Sequence, residues 1–220
     1  MEMVPIGLTE TDLGQKCPLC RDSGSSFYLE VFFECRTCKG IFRAPEYLPS
    51  WEDEKSRYEE HHNDVLDAKY QQFVSPITSS VLRDYQPESL GLDFGSGTGP
   101  VISKVLRDAG YSIKQYDPIF ENIPEVLEHK YDFIACCEVI EHFHNPEKEF
   151  HLLKSLLKPG GHLYCMTHIY SPEINFDNWY YRRDKTHSFI YQAATLDWIK
   201  EMLEFEGLTV QGRLIVFTKS

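Results

Sequence analysis

Residues 92–99 read Leu92-Asp93-Phe94-Gly95-Ser96-Gly97-Thr98-Gly99, a short apolar strand that ends in an acid and opens into three alternating glycines. No other segment narrows the choice of fold so far. Glycine has no Cβ, so it accepts positive φ and lets backbone amides approach a ligand where a side chain would collide. A strand that opens into such a turn and then a helix builds a nucleotide pocket in a parallel α/β sheet. The dinucleotide form of this turn, G-x-G-x-x-G, cradles a pyrophosphate on the following helix N-terminus. Here the spacing is G-x-G-x-G, and the sixth position is Pro100, which suits the first turn of a helix but is not the glycine that packs it on the strand. Phosphate binding is therefore the weaker reading, and a tight turn without a ligand stays open on these residues alone.

The next strand, Tyr111 to Tyr116, alternates and ends in Asp117, about 20 residues after the glycines. An acid at that tip is placed to accept hydrogen bonds from both ribose hydroxyls of a nucleoside; the competing reading is a turn started by Asp117-Pro118. A third strand, Tyr131 to Cys136, is apolar after its first acid, as a strand buried on both faces should be. It leads into Glu138-Val139-Ile140-Glu141-His142. A helix is expected from Pro146 to Leu157, ended by Lys158-Pro159-Gly160-Gly161, and a fourth strand from His162 to Thr167.

In this order, Asp93 to Gly99, Asp117, Glu138 to His142 and Leu157 to Gly161 resemble the class I S-adenosylmethionine (SAM)-dependent methyltransferases, over roughly residues 75–220. The resemblance implies an α/β, Rossmann-like, mostly parallel sheet with helices on both faces and SAM at the carboxyl ends of the strands. It implies that Asp93 belongs to the cofactor site, that the glycine turn of Gly95, Gly97 and Gly99 holds the methionine part, Asp117 the ribose and the turn after Ala135-Cys136-Cys137 the adenine side, with Glu138 near the cofactor. Only thirteen residues separate Asp117 from Tyr131, where such enzymes fit a helix and another strand, so the sheet is expected to be trimmed around its third strand. Leu208 to Arg213 and Leu214 to Lys219 are expected to supply the closing strand pair.

With 220 residues there is room for one core of about 150 residues and a smaller module. The formal net charge of −12 argues against nucleic acid as a partner, because phosphate contacts draw on a basic surface. Arg182-Arg183-Asp184-Lys185 is a local exception. Residues 1–16 are polar without a signal core, and no run approaches the roughly 20 apolar residues of a membrane span, so no membrane partner and a cytoplasmic location are expected.

Cys17-Pro18-Leu19-Cys20 and Cys35-Arg36-Thr37-Cys38 form two C-x-x-C pairs fourteen residues apart, the spacing of paired knuckles that close four thiolates around Zn²⁺. Gly40 fits a knuckle turn, and Phe27 to Phe33 reads as a strand. Such a short segment buries too little surface to fold alone and uses metal as a staple; a docking role is the alternative. N-terminal zinc modules occur in a group of ribosomal RNA guanine methyltransferases that this layout resembles, although the second pair here has no histidine. Cys136, Cys137 and Cys165 read as buried small hydrophobes.

The chain thus divides into a zinc-ribbon-like module (1–45), a helical linker or lid (46–87) and a SAM-dependent methyltransferase domain (88–220). In the linker, Trp51 to Glu60 and Asp64 to Phe73 read as helices, with Pro49, Pro76 and Pro87 as breaks.

On a helical turn, Glu138, Glu141 and His142 project from one face, so two carboxylates and an imidazole can converge on a cation. The same spacing occurs in two metal-dependent O-methyltransferase groups it resembles, the ubiquinone-pathway enzymes and the small-RNA 3′-end 2′-O-methyltransferases; in the latter a downstream histidine completes the site, and His187 is its counterpart. Three readings stay open: a divalent ion such as Mg²⁺ held by Glu138, Glu141, His142 and His187; a general base or positioning role for His142 or His187 with Glu141; and a structural role. Residues 168–195, with Trp179, Tyr180, Tyr181, Arg182 and Arg183, read as an irregular insertion suited to a polar or anionic substrate, or as a cap on the sheet, before a helix from Leu196 to Glu206. The expected reaction is methyl transfer from SAM to a small polar acceptor, at oxygen, with or without a metal. The alternatives are an RNA or protein methyltransferase that docks through its zinc module, and a SAM-binding interaction module without catalysis.

Overall fold

The computed structural model describes residues 14–60 and 64–220, so most of the polar N-terminal stretch lies outside the described residues. In chain order the elements are β1 (Gly24–Tyr28), β2 (Phe32–Cys35), β3 (Ile41–Arg43), α1 (Trp51–Glu59), α2 (Ala68–Asp84), β4 (Leu90–Phe94), α3 (Val101–Asp108), β5 (Ser112–Tyr116), β6 (Tyr131–Cys137) and α4 (Pro146–Leu156). β7 (Leu157–Met166), β8 (Ile169–Tyr170), β9 (Phe189–Gln192), α5 (Ala193–Met202), β10 (Phe205–Gln211) and β11 (Leu214–Lys219) complete them.

A six-stranded sheet runs β10-β11-β7-β6-β4-β5. Neighbours from β5 to β7 pair in parallel, whereas β11 is antiparallel to both β7 and β10. The apolar run of β6 has partners on both faces, as its composition requires. Phe133 and Ala135 meet Val74, Ile77 and Val81 of α2 and Val101, Ile102 and Leu106 of α3. Ile134 and Cys136 meet Phe150, Leu153 and Leu156 of α4 and Leu196 and Ile199 of α5. The trimming expected from the short 117–131 spacing is present. Residues 118–130 make only a bridge from Asp117 to Glu121 and a 3-10 turn at Pro124–Glu128, which leaves β5 at the sheet edge.

Several element boundaries differ from expectation. Pro76 does not break the linker: α2 continues through it to Asp84. A proline inside a helix costs about 3 kcal/mol, and burial of Val74, Ile77 and Val81 offsets it at about 1.5–3 kcal/mol each. The helix expected at 196–206 lies earlier, at 193–202, because Thr195 Oγ1 accepts the Gln192 amide at its start and Glu204, at φ 53, turns the chain away after its end. The stretch 27–33 is a hairpin, with Leu29 and Glu30 at φ 48 and 54 reversing the chain between β1 and β2.

A second sheet runs β1-β2-β3-β9-β8, so the cysteine segment shares a sheet with strands from the insertion after β7. The insertion is therefore partly regular. Its Tyr170, Phe176 and Trp179 pack on Phe27, Tyr28 and Phe32, and Arg182 stacks over the Tyr28 ring at 4.4 Å. Gly40 closes the knuckle through its backbone, its carbonyl accepting from the Cys35 amide at 2.9 Å, while packing is what excludes a side chain there. Lys39 carries the positive φ of 60, whereas a Cβ on Gly40 would lie 2.1 Å from Cζ of Phe189. Among the described residues, no helix is long and apolar enough to cross a membrane.

Candidate active site

The glycine turn stands at the carboxyl end of β4 and is clamped to β5. Gly95 and Ser96 amides donate to the Tyr116 carbonyl at 2.8 and 3.3 Å, and the Gly97 amide donates to Asp117 Oδ2 at 3.0 Å. Asp117 Oδ1 accepts from the Ile119 and Phe120 amides, so backbone donors aim this carboxylate. Gly95 and Gly97 hold φ of 76 and 62; a Cβ on Gly95 would lie 2.4 Å from Val139 Cγ2, while the space beside Gly97 is open.

A cleft of about 860 Å³ opens there, lined by Gly95, Gly97, Tyr116, Asp117, Cys137 and Glu138 among others. Asp93 and Gly99 do not line it. Asp93 is 3% exposed, and its Oδ2 accepts from Ser103 N and Oγ at 3.2 and 2.7 Å, satisfying a free amide in the first turn of α3. Burial pushes its carboxyl up to about 6. Cys136, expected beside the cofactor, is instead buried in the core. Alternation along β6 turns it to the face covered by α4 and presents Cys137 to the cleft.

Deeper in the same cleft, Glu141, His142 and His187 bring a carboxylate oxygen and two ring nitrogens within 4.8 Å of one another. Glu141 is fully buried, and neither carboxylate oxygen has a hydrogen-bond partner among the described residues. The Thr167 and Tyr181 hydroxyls bond each other at 2.5 Å and lie close enough to the Glu141 carboxylate to favour its charged form, without a hydrogen bond of good geometry to it. Burial pushes the Glu141 carboxyl up to about 7.

The histidines have defined tautomers. His142 Nδ1 faces the Thr186 carbonyl at 3.0 Å and His187 Nδ1 faces the Tyr181 carbonyl at 2.7 Å. A carbonyl only accepts, so both Nδ1 atoms carry the proton and both Nε2 atoms keep a lone pair. Burial, followed by the neighbouring His142, pushes His187 down to about 3; burial also lowers His142.

Glu138 does not join this set. The 3-10 turn begins only at Ile140, and Glu138 sits before it at φ 52 with its Oε1 accepting from Arg213 at 3.3 Å. The helical face expected over residues 138–142 is therefore absent. Burial, then the charge of Glu141, pushes the Glu138 carboxyl up to about 8.

Helix α1 covers the cleft mouth with no buried residue of its own. It is held by Glu54 to His144 at 3.0 Å, Arg57 to Asp184 at 3.1 Å, and Tyr58 edge-on to His142. Sequence reasoning missed Thr186 and Arg43. Thr186 acts through its carbonyl, which no side-chain pattern encodes, and Arg43 touches the loop of His187 only because β3 pairs with β9.

The four module cysteines also converge, with Sγ atoms within 4.8 Å of one another. Cys17–Cys38 and Cys20–Cys35 lie at 3.5 and 3.2 Å. A tetrahedral zinc with bonds of about 2.3 Å sets sulfurs about 3.8 Å apart. The Cys38 thiol beside Cys17 draws it down to about 6.

Comparison with known proteins adds a family. Residues 37–210 match the model of a methyltransferase domain. The ubiquinone biosynthesis O-methyltransferase of Photorhabdus laumondii is 30% identical over 77 residues, 35% of this chain and 32% of that protein. The chain thus aligns with about a third of the length of the curated relatives it matches. The 1,6-didemethyltoxoflavin-N1-methyltransferase of Burkholderia thailandensis has a similar structure, with a TM-score of 0.57 at 14% identity, covering 83% of this chain and 96% of that one. A SAM-dependent methyltransferase from Archaeoglobus fulgidus gives 0.53 at 16% identity, over 68% and 94%. These structural likenesses establish the class I, Rossmann-like fold.

Proposed function

This chain belongs to the methyltransferase-domain family of SAM-dependent enzymes, and from that premise we propose that it moves the methyl group of SAM to a hydroxyl oxygen of a small polar acceptor. One observation carries the reading: the glycine turn and Asp117 line the same cleft as Glu141, His142 and His187. Oxygen as the acceptor atom is supported by the ubiquinone relatives, which are O-methyltransferases by name.

SAM supplies a methyl group on a cationic sulfur, and the chain supplies alignment. In this reading the Gly97 turn leaves room for the methionine part and Asp117 receives the ribose hydroxyls. Closure by α1 excludes water. Without a bound ion, proton removal from the acceptor falls to His142, whose Nδ1 is tied to the Thr186 carbonyl and whose Nε2 keeps its lone pair.

The residues fit a divalent cation. A buried carboxylate without a partner and two oriented imidazoles are a donor set that a cation completes. Glu141, His142 and His187 would hold it, and two imidazoles favour a first-row transition ion over Mg²⁺. When bound, such an ion lowers the pKa of a hydroxyl at its open position. The four cysteines are proposed to hold a structural Zn²⁺.

A thermal-shift titration with SAM and S-adenosylhomocysteine tests the core of this reading, since a ligand that binds only the native state raises its melting temperature. A shift with both is expected. No shift with either ends it.

A further inference from the structure

We infer that Arg43, carried on β3 of the cysteine module, is a positioning residue for the His142–His187 pair, and that the module serves the site in cis by holding it. The inference rests on the function proposed above. Arg43 is 9% exposed, with its guanidinium stacked 4.6 Å from the Phe32 ring centroid. Its Nη2 donates to the Asp184 carbonyl at 3.0 Å and its Nε to the His187 carbonyl at 3.3 Å, while its backbone amide donates to the Ser188 carbonyl at 2.9 Å. These bonds fix the loop 184–188 at three points.

That loop is what orients the site. Its Thr186 carbonyl takes the His142 Nδ1 proton, its Ser188 amide donates to the Glu141 carbonyl at 2.8 Å, and His187 is part of it. Arginine reaches two carbonyls at once through a planar fork; lysine presents a single ammonium. The Asp184 carboxylate is already engaged by Thr186 and Arg57, so the buried guanidinium bonds backbone oxygens. A buried cation is expensive, and an apolar residue of similar size would stabilise the fold as well. Its use here buys loop geometry. The thiolate knuckle ends at Cys38, three residues before β3, so the four-sulfur centre anchors the strand that delivers the arginine.

The test uses the full chain with its cysteine-bound metal, ¹⁵N-histidine NMR for the tautomers, and Mn²⁺ alone as the probe of the three-residue cluster. Wild type is expected to show one Nδ1–H tautomer for each of His142 and His187. In Arg43→Gln those signals are expected to broaden or mix, and Mn²⁺ affinity to fall by about tenfold or more, while zinc content and SAM affinity stay unchanged. Arg43→Lys keeps charge and stem; it is expected to fall between the two, and it decides if Arg43→Gln does not fold. Wild-type tautomers and Mn²⁺ affinity in the variants overturn the inference. A wild type that binds no SAM overturns the proposed function instead, and the tautomer result still decides the role of Arg43.

Discussion

The amide of Ser188 donates to the carbonyl of Glu141 at 2.8 Å, which stitches the loop carrying His187 to the turn carrying Glu141 and His142. The three groups proposed to hold a cation are thus brought together by the fold itself. A cation that binds only the folded chain at about 100 times its Kd adds about 2.7 kcal/mol. For a domain of this size each kcal/mol raises the melting temperature by about 2–4 °C. Mn²⁺ is therefore expected to raise it by about 5–10 °C, and His187→Ala to remove most of the rise. An equal rise in the variant would mean that the ion binds elsewhere.

The two glycines of the turn are expected to fail differently. A left-handed φ costs a non-glycine residue about 1–2 kcal/mol. Gly97→Ala bears only that cost, since its Cβ meets nothing within 4 Å, but the methyl enters the space proposed for the cofactor. Gly95→Ala adds a collision with Val139. SAM titration and urea unfolding should show Gly97→Ala weak in binding and about 1–2 kcal/mol less stable, and Gly95→Ala less stable by clearly more than that. The reverse order would show that Gly97 faces no ligand.

The class of fold was legible because its signals are local: the glycine turn, the acid at the tip of the second strand and the doubly buried β6 each lie within a few consecutive residues. So was the trimmed edge, since thirteen residues cannot supply a helix and a strand. The pairing of β3 with β9 was not legible, because it joins segments about 150 residues apart through backbone bonds that any apolar strand can make. Glu138 misled for a related reason. Its spacing to Glu141 and His142 suits a helix, but a left-handed residue before the turn breaks the periodicity that spacing assumes.

The cysteine cluster makes a stability prediction. Zinc contributes about 10 kcal/mol or more to the folding of isolated zinc peptides. Here β3 also pairs with β9, so part of the module is held without metal. If a third of that contribution is at stake, Cys20→Ser should lower the melting temperature by about 10 °C and abolish binding of one zinc per chain. A variant that keeps both its zinc and its melting temperature would remove the cluster from the list of metal sites.

Asp93 makes the stability of the fold depend on pH. Burial raises its folded-state value from an ordinary 3.8 to about 6. The fold therefore favours the protonated carboxyl, so its contribution is fully present below the unfolded value and is lost as pH rises through the folded one. A shift of about two units corresponds to about 3 kcal/mol, lost between pH of about 4 and 6. In Asp93→Asn the amide oxygen still accepts from Ser103 but carries no charge. Urea unfolding in the absence of SAM should find the two proteins alike near pH 4 and the variant more stable above pH 7. A difference that does not change with pH would mean that Asp93 stays ionised at no cost, with the α3 amide and Ser103 compensating its burial in full.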